Sequence, residues 1–220
     1  MNTNTPPPDA LRSAFDRALR ELPLVAILRG LRPEEAEAVG TALYEAGFRL
    51  IEVPLNSPEP FDSIGRLRRA LPHDALVGAG TVLEVAQVVR LAEIGAELVV
   101  MPHADTSVIR AAKGVGRLCL PGVATPTEAF AALAAGADAL KLFPAELVTP
   151  AVMKAMRAVL PRGTRMLPVG GIAPDTMAPY VAAGAAGFGL GSALYAPGMP
   201  PDEVARRARD FVSAWRALPG

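Results

Sequence analysis

Short apolar runs alternate with alanine-rich segments along nearly the whole chain, and this alternation restricts the possible folds more than any other feature. The segments between the runs have helical spacing of apolar residues; between Pro33 and Ala46, for example, Ala36, Val39 and Leu43 fall on one face. Strands that alternate with helices are typical of a parallel sheet built from βα units. Eight runs occur: LVAIL at 24–28, LIEVP at 50–54, ALVGAG at 75–80, ELVVMP at 97–102, RLCLPG at 117–122, ALKLFP at 139–144, MLPVG at 166–170 and GFGLG at 187–191.

Eight βα units in a chain of 220 residues predict one α/β domain, a (β/α)₈ TIM barrel spanning residues 9–220. We expect Asp9–Glu21 to form an extra amphipathic N-terminal helix that closes the bottom of the barrel, and Pro201–Leu218 to form the eighth helix. Residues 1–8 are expected to be a disordered tail. The alternative is a doubly wound open sheet, which would favour a GxGxxG turn after the first strand. That strand ends instead at Leu28-Arg29-Gly30.

Charge and composition exclude several classes of protein. Lys plus Arg and Asp plus Glu each total 22, so there is no net charge to attract nucleic acid or an acidic membrane. No run of 18 apolar residues and no secretory signal is present, which predicts a cytoplasmic protein. One cysteine and two distant histidines argue against structural zinc, and we expect neither a metal nor a cofactor.

Lys141 is the most informative candidate for chemistry, because barrel enzymes place their active sites at the carboxyl ends of the strands. It is one of only three lysines, and it lies inside the apolar run ALKLF. Burial lowers the pKa of a lysine and a nearby Arg29 would lower it further, leaving a free amine that can form a Schiff base. The structural alternative is a lysine paired with a carboxylate of the barrel.

Glu52 is the matching carboxyl group, in the apolar run LIEVP. A carboxyl buried at this depth can have a raised pKa and serve as a general acid and base during imine formation and carbon–carbon cleavage. The alternative is a salt bridge to Arg29 or Lys141 with a purely structural role.

Two glycine-rich segments follow the seventh and eighth predicted strands, where barrels commonly bind phosphate. They contribute Gly170 and Gly171 in VGGI, and Gly191 and Ser192 in GLGS. Glycine permits close approach of an anion to backbone N–H groups, and Ser192 can add a hydroxyl donor. Each pair alone could be ordinary turn chemistry, but together they predict phosphate recognition.

Arg29 and Thr81 follow the first and third predicted strands and suit a substrate carboxylate. The planar guanidinium of Arg29 matches a carboxylate in shape, and Thr81 offers a hydroxyl and backbone donors. Surface ion pairing for Arg29 and local capping for Thr81 remain open. We assign no role to His103, and Cys119 is predicted to be a core residue.

Five motifs in unbroken order, LVAILRG, IEVPLNSP, VGAGTVL, LKLFPAE and PVGGI, resemble the class I KDPG/KHG aldolases, which cleave 2-keto-3-deoxy-6-phospho sugar acids. The resemblance implies a metal-free homotrimeric barrel that acts on a small keto acid phosphate and yields pyruvate and glyceraldehyde 3-phosphate. By motif, Lys141 corresponds to the Schiff-base lysine and Glu52 to the general acid/base. Arg29, Thr81, Gly170, Gly171, Gly191 and Ser192 correspond to substrate contacts.

The same family divides between a phosphogluconate-derived substrate and its C4 epimer, derived from phosphogalactonate. Relatives of the first kind usually carry Arg and Thr where this chain has Asn56 and Ser57, and Thr where it has Val169. The segments PLNSP and VGG resemble the second kind, so we expect Val169 to contact substrate and to favour the galactonate-type epimer.

Two other classes of function remain as alternatives. A phosphate-binding barrel isomerase or synthase would use the glycine-rich strand ends without an imine. A non-catalytic sugar-phosphate sensor or scaffold would keep the barrel and the phosphate site alone. Trapping of a pyruvate imine with borohydride separates an imine-forming aldolase from both.

Overall fold

Every apolar run forms parallel strand structure, in the chain order that the sequence predicts. The structure is a computed structural model in which residues 8–218 are described. The strands are β1 Leu24–Ile27, β2 Leu50–Pro54, β3 Leu76–Gly80, β4 Leu98–Val100, β5 Leu118–Leu120, β6 Gly122–Val123, β7 Leu140–Leu142, β8 Met166–Pro168 and β9 Phe188–Leu190.

The strands close into a ring. One sheet has the order β5-β4-β3-β2-β1-β9 and the other the order β6-β7-β8. Only Pro121, which has no N–H to donate, separates β5 from β6, so these two strands occupy a single position in the barrel. A bridge between Val169 and Gly189 joins β8 to β9. The (β/α)₈ barrel is therefore confirmed, and the doubly wound alternative is wrong because the strand order never reverses.

Most helices connect successive strands around the outside of the ring, whereas the first precedes β1 and the last follows β9. Apolar side chains on their inner faces pack against the outward-facing strand residues in one large outer cluster. The helices are α1 Pro8–Glu21, α2 Pro33–Glu45, α3 Pro60–Ala70, α4 Val85–Glu93, α5 Thr106–Gly114, α6 Pro126–Ala134, α7 Pro150–Val159, α8 Met177–Ala182 and α9 Pro201–Arg216.

The predicted N-terminal helix is confirmed as α1. Its buried side chains Leu11, Phe15 and Ala18 pack against inward-facing residues from the starts of the strands, including Val25 and Leu50, in a second, inner cluster. This cluster fills the amino-terminal end of the barrel, so open space for a substrate lies at the opposite end. The disordered tail predicted for residues 1–8 falls outside the described residues except for Pro8, at which α1 begins.

None of the helices between residues 8 and 218 is both long and apolar enough to cross a membrane.

Candidate active site

Glu52 and Lys141 point into the barrel. Side chains alternate in direction along a strand, and Glu52 lies two residues after Leu50 of the inner cluster, just as Lys141 lies two residues after Ala139 of that cluster. Both therefore sit one layer above the inner cluster, toward the carboxyl ends of the strands. The structure brings the two predicted residues to the same end of the barrel.

The carboxyl group of Glu52 is buried, and its pKa lies near neutral pH. Its side chain is only 1% exposed, and Oε2 has no hydrogen-bond partner among the described residues. Burial raises the pKa of Glu52 to about 7, against the opposing effects of the positive charges of Lys141 and Arg29. Gly80 makes the space for this group, because a Cβ at that position would overlap the Glu52 carboxylate.

The ammonium group of Lys141 is also largely desolvated, since the residue is 6% exposed. Burial lowers the pKa of Lys141, Arg29 lowers it further, and the charge of Glu52 acts in the opposite direction. Nζ lies 4.7 Å from the ring centroid of Phe143, two residues farther along the chain. Lys141 thus has the environment of a nucleophilic amine, with more of its free form at neutral pH than an exposed lysine has.

Arg29 projects from the loop after β1 and is exposed. Its Nη1 donates a hydrogen bond to Oδ1 of Asn56 at 2.6 Å, and the backbone N–H of Gly30 donates to Oγ of Ser57 at 2.9 Å. The loops after β1 and β2 are tied together by these two contacts. Asn56 therefore orients Arg29, whose charge also reaches Glu52 and Lys141.

Thr81 follows β3 directly and is half-buried. Its φ of 54° lies in the left-handed region, which is uncommon for a residue other than glycine. Strained backbone of this kind is concentrated at ligand sites, where the surrounding structure holds it in place. Thr81 thus lies at the carboxyl end of β3, at the same end of the barrel as Glu52 and Lys141.

The two glycine-rich segments lie at the carboxyl ends of the adjacent strands β8 and β9. Gly191 has open space where a side chain would be, and Ser192 is exposed. The turn Gly170-Gly171, called the glycine turn below, has φ angles of 118° and 60°. At Gly170 a Cβ would overlap Oε2 of Glu146, so the close neighbour that requires glycine there is a side chain of this protein.

Val169 precedes the glycine turn. It lies two residues after Leu167 of the inner cluster, so its side chain points into the barrel as well. It is buried, and a Cβ at Gly189 would overlap its Cγ2 atom. Leu167 is the register partner of Lys141 on the neighbouring strand. Val169 thus lies between the strand that carries Lys141 and the glycine-rich end of β9.

The remaining candidates lie apart from this chemistry. Cys119 is fully buried on β5, as predicted, and burial raises the pKa of its thiol to about 12. His103 is exposed in the loop after β4. Within residues 8–218, no cluster of three or more His, Cys, Asp or Glu side chains is placed to hold a metal ion.

Two residues at this end of the barrel were not singled out from the sequence. Phe143 lies beside Lys141, and Glu146 lies against the glycine turn. Both belong to the motif LKLFPAE, so their nearness to Lys141 in the chain was a usable signal. Their contacts depend on where the loop after β7 turns, which periodicity does not predict.

A buried amine, a carboxyl group with a pKa near 7 and a nearby guanidinium support addition of the amine to a ketone with proton transfer by the carboxyl group. The glycine-rich ends of β8 and β9 suit an anion at the same mouth of the barrel.

Comparison with known proteins agrees with this chemistry. The family model for KDPG and KHG aldolases matches residues 15–206. A probable 2-dehydro-3-deoxy-6-phosphogalactonate aldolase of Rhizobium meliloti (strain 1021) is 52% identical over 200 residues, covering 91% of this chain and 94% of the relative. The 2-dehydro-3-deoxy-6-phosphogalactonate aldolase of Escherichia coli (strain K12) is 48% identical over 196 residues, covering 89% and 96%.

A solved structure described as native KDPGal is also similar. It superposes with a TM-score of 0.87 at 48% identity, covering 89% of this chain and 95% of that chain. The family match spans most of the barrel and includes the strands that carry Glu52 and Lys141. The chain belongs to the KDPG and KHG aldolase family.

Proposed function

We propose that this protein is a class I aldolase that cleaves 2-dehydro-3-deoxy-6-phosphogalactonate to pyruvate and D-glyceraldehyde 3-phosphate through an imine on Lys141. One observation carries the proposal: a desolvated lysine and a carboxyl group with a pKa of about 7 point into the same end of the barrel. The similarity to two 2-dehydro-3-deoxy-6-phosphogalactonate aldolases supports the choice of substrate.

The reaction begins when the neutral Nζ of Lys141 attacks the C2 ketone, while Arg29 and Thr81 hold the C1 carboxylate. The resulting carbinolamine loses water to give an iminium ion. Glu52, directly or through a water, takes the proton of the C4 hydroxyl, and the C3–C4 bond breaks with its electron pair entering the iminium as an enamine. Glyceraldehyde 3-phosphate leaves as the aldehyde.

The second half of the reaction returns the enzyme to its starting state. Protonated Glu52 gives its proton to C3 of the enamine, and water hydrolyses the iminium to release pyruvate and the free lysine. A carboxyl group with a pKa of about 7 is populated in both protonation states at neutral pH, so it can act as base and then as acid.

The far end of the substrate is assigned to Gly170, Gly171, Gly191 and Ser192, which we call the distal subsite. Their backbone N–H groups and the Ser192 hydroxyl would hold the phosphate. Binding energy from this remote group positions the C3–C4 bond over Lys141 and Glu52.

The experiment that tests the function combines two measurements. Incubation with pyruvate and borohydride should add one reduced pyruvate to Lys141, as seen by intact mass and peptide mapping. Assays with both C4-epimeric phosphorylated substrates should show cleavage with preference for the galactonate-type epimer. A protein that gains no adduct and cleaves neither substrate is not an imine-forming aldolase.

Val169 is proposed to contribute to the epimer preference, since the two substrates differ only at C4. Threonine at this position could donate a hydrogen bond to one orientation of the C4 oxygen, whereas valine has a similar shape without the hydroxyl. One neutral hydrogen bond contributes about 0.5 to 1.5 kcal/mol. The Val169→Thr variant should therefore move the ratio of kcat/KM values a few-fold to roughly tenfold toward the gluconate-type epimer.

The measurement is kcat/KM for both epimers, with Val159→Thr on the exposed end of α7 as the matched control. Borohydride trapping of pyruvate should be the same in both variants. If the ratio is unchanged in Val169→Thr, this side chain does not discriminate between the epimers. The same conclusion follows if the wild type prefers the gluconate-type epimer tenfold.

The assembly is proposed to be a homotrimer. A cyclic trimer needs two different surfaces that meet head to tail. Among the exposed apolar side chains, Leu83, Val85 and Val89 lie around α4, and Phe130 and Leu147 lie around α6 and the loop after β7. Light scattering should give three times the chain mass for the wild type and a smaller mass for Val89→Glu or Phe130→Glu. An unchanged mass in both variants would place the interface elsewhere.

A further inference from the structure

Glu146 lies against the glycine turn of the distal subsite. A Cβ at Gly170 would overlap its Oε2, and a Cβ at Gly171 would lie 3.1 Å from its Oε1. The backbone N–H of Ala145 is the other close neighbour of that Gly170 position. Both carboxylate oxygens of Glu146 are therefore beside the backbone proposed to bind phosphate.

No cation neutralises this carboxylate in the described part of the chain. Glu146 is exposed, and it forms neither a salt bridge nor a side-chain hydrogen bond with any residue between 8 and 218. Tyr180, packed beneath the same loop, donates its hydroxyl to the Ala145 carbonyl at 2.8 Å. Burial raises the pKa of Tyr180, and the negative charge of Glu146 raises it further. The charge of Glu146 therefore acts on groups at this end of the barrel.

The backbone of the glycine turn is otherwise prepared for an anion. The N–H groups of Gly171 and Ile172 donate no hydrogen bond to any acceptor in residues 8–218. Free N–H groups attract an anion, but an ionised carboxylate offers only acceptors. A phosphate dianion on these N–H groups and the ionised Glu146 carboxylate beside them both offer only acceptors, so they form no hydrogen bond with each other and repel electrostatically.

We propose that Glu146 tunes the affinity of the distal subsite, because its negative charge limits the binding of phosphate. This inference rests on the proposed function, because it takes the glycine turn as the place where the substrate phosphate binds. The charge weakens binding of phosphorylated substrate, of glyceraldehyde 3-phosphate and of free inorganic phosphate alike. It thereby favours product release and reduces occupancy of the subsite by inorganic phosphate.

The decisive variant is Glu146→Gln, which keeps the shape of the side chain and removes its charge. Repulsion between two like charges several ångströms apart near a protein surface weakens binding by roughly threefold to thirtyfold. The KM for the phosphorylated substrate and the dissociation constant of inorganic phosphate should both fall by such a factor. The difference from wild type should shrink as salt is added, since salt screens exposed charges.

Three controls isolate the charge at the subsite. Glu146→Asp keeps a carboxylate and should stay much closer to the wild-type KM than Glu146→Gln does. Glu93→Gln makes the same charge change at the end of α4, near the amino-terminal side of the barrel, and should leave KM unchanged. The corresponding substrate without phosphate should show the same kinetics in wild type and Glu146→Gln.

A KM that stays the same in Glu146→Gln would mean that Glu146 only packs against the glycine turn, and a KM that rises would mean that it binds a hydroxyl group of the substrate. Either result overturns the proposal. Titration with inorganic phosphate tests Glu146 without turnover, whereas pyruvate trapping on Lys141 tests the aldolase reaction without phosphate. The two proposals can therefore fail separately.

Discussion

Lys141→Arg is expected to reduce aldol cleavage to the background rate and to abolish the borohydride-dependent pyruvate adduct. Arginine keeps the positive charge beside Glu52, but its guanidinium cannot be deprotonated in a protein and cannot form the imine. The electron sink for cleavage of the C3–C4 bond is then missing. The measurement is steady-state cleavage of both phosphorylated epimers together with intact mass after pyruvate and borohydride.

The matched control is Lys154→Arg on the exposed face of α7, which should keep wild-type activity. Circular dichroism and thermal unfolding should show that Lys141→Arg remains folded. Lys141→Ala adds a further comparison, because loss of the positive charge that lowers the pKa of Glu52 should raise this pKa above about 7. Substantial turnover by Lys141→Arg would rule out an imine on this lysine.

The barrel was predictable from the sequence because its determinants are local. Each strand is a short apolar run, and the order of runs and helical segments alone implies neighbouring parallel strands. Lys141 and Glu52 could be chosen as candidate site residues for the same reason, since a charged residue within an apolar strand must have a partner or a function. The N-terminal helix was predictable from its amphipathic pattern, and the packing of Phe15 in the barrel explains why that pattern exists.

Features that depend on residues distant in the chain were not predictable. The bridge from Val169 to Gly189 and the contact between Arg29 and Asn56 both follow from tertiary packing. The glycine turn is the clearest example. The sequence suggested that Gly170 permits close approach of a ligand, but the atom nearest to the position of a Cβ at this residue belongs to Glu146.

Glu52→Gln is expected to slow cleavage by roughly 10² to 10⁴, which is the usual contribution of a positioned general acid or base. Glutamine is nearly isosteric and remains polar, but it can neither accept the C4 hydroxyl proton nor return a proton to C3. Cleavage and the exchange of pyruvate methyl protons with solvent should fall together, because both need proton transfer at the same place. If both stay near wild type, Glu52 has only a structural role.

The pH dependence of imine formation gives a second, independent test of the role of Glu52. The negative charge of Glu52 raises the pKa of Lys141, so its removal should lower that pKa. The acid limb of imine formation with pyruvate should therefore move to lower pH in Glu52→Gln. Glu93→Gln, which removes a carboxylate far from Lys141, should leave this limb where it is in the wild type.

The free energy of unfolding should also depend on pH, in a direction set by Glu52. The pKa of Glu52 is raised from 4.5 to about 7 on folding, so its stabilising contribution is complete below pH 4.5 and is lost as the pH rises through 7. Glu52→Gln stays neutral throughout this range. Its free energy of unfolding relative to wild type should thus increase between pH 5 and pH 9, by up to about 3 kcal/mol. Urea unfolding at both pH values measures the difference, and a difference that does not change with pH would mean that Glu52 is ionised throughout in the folded protein, paired with Lys141.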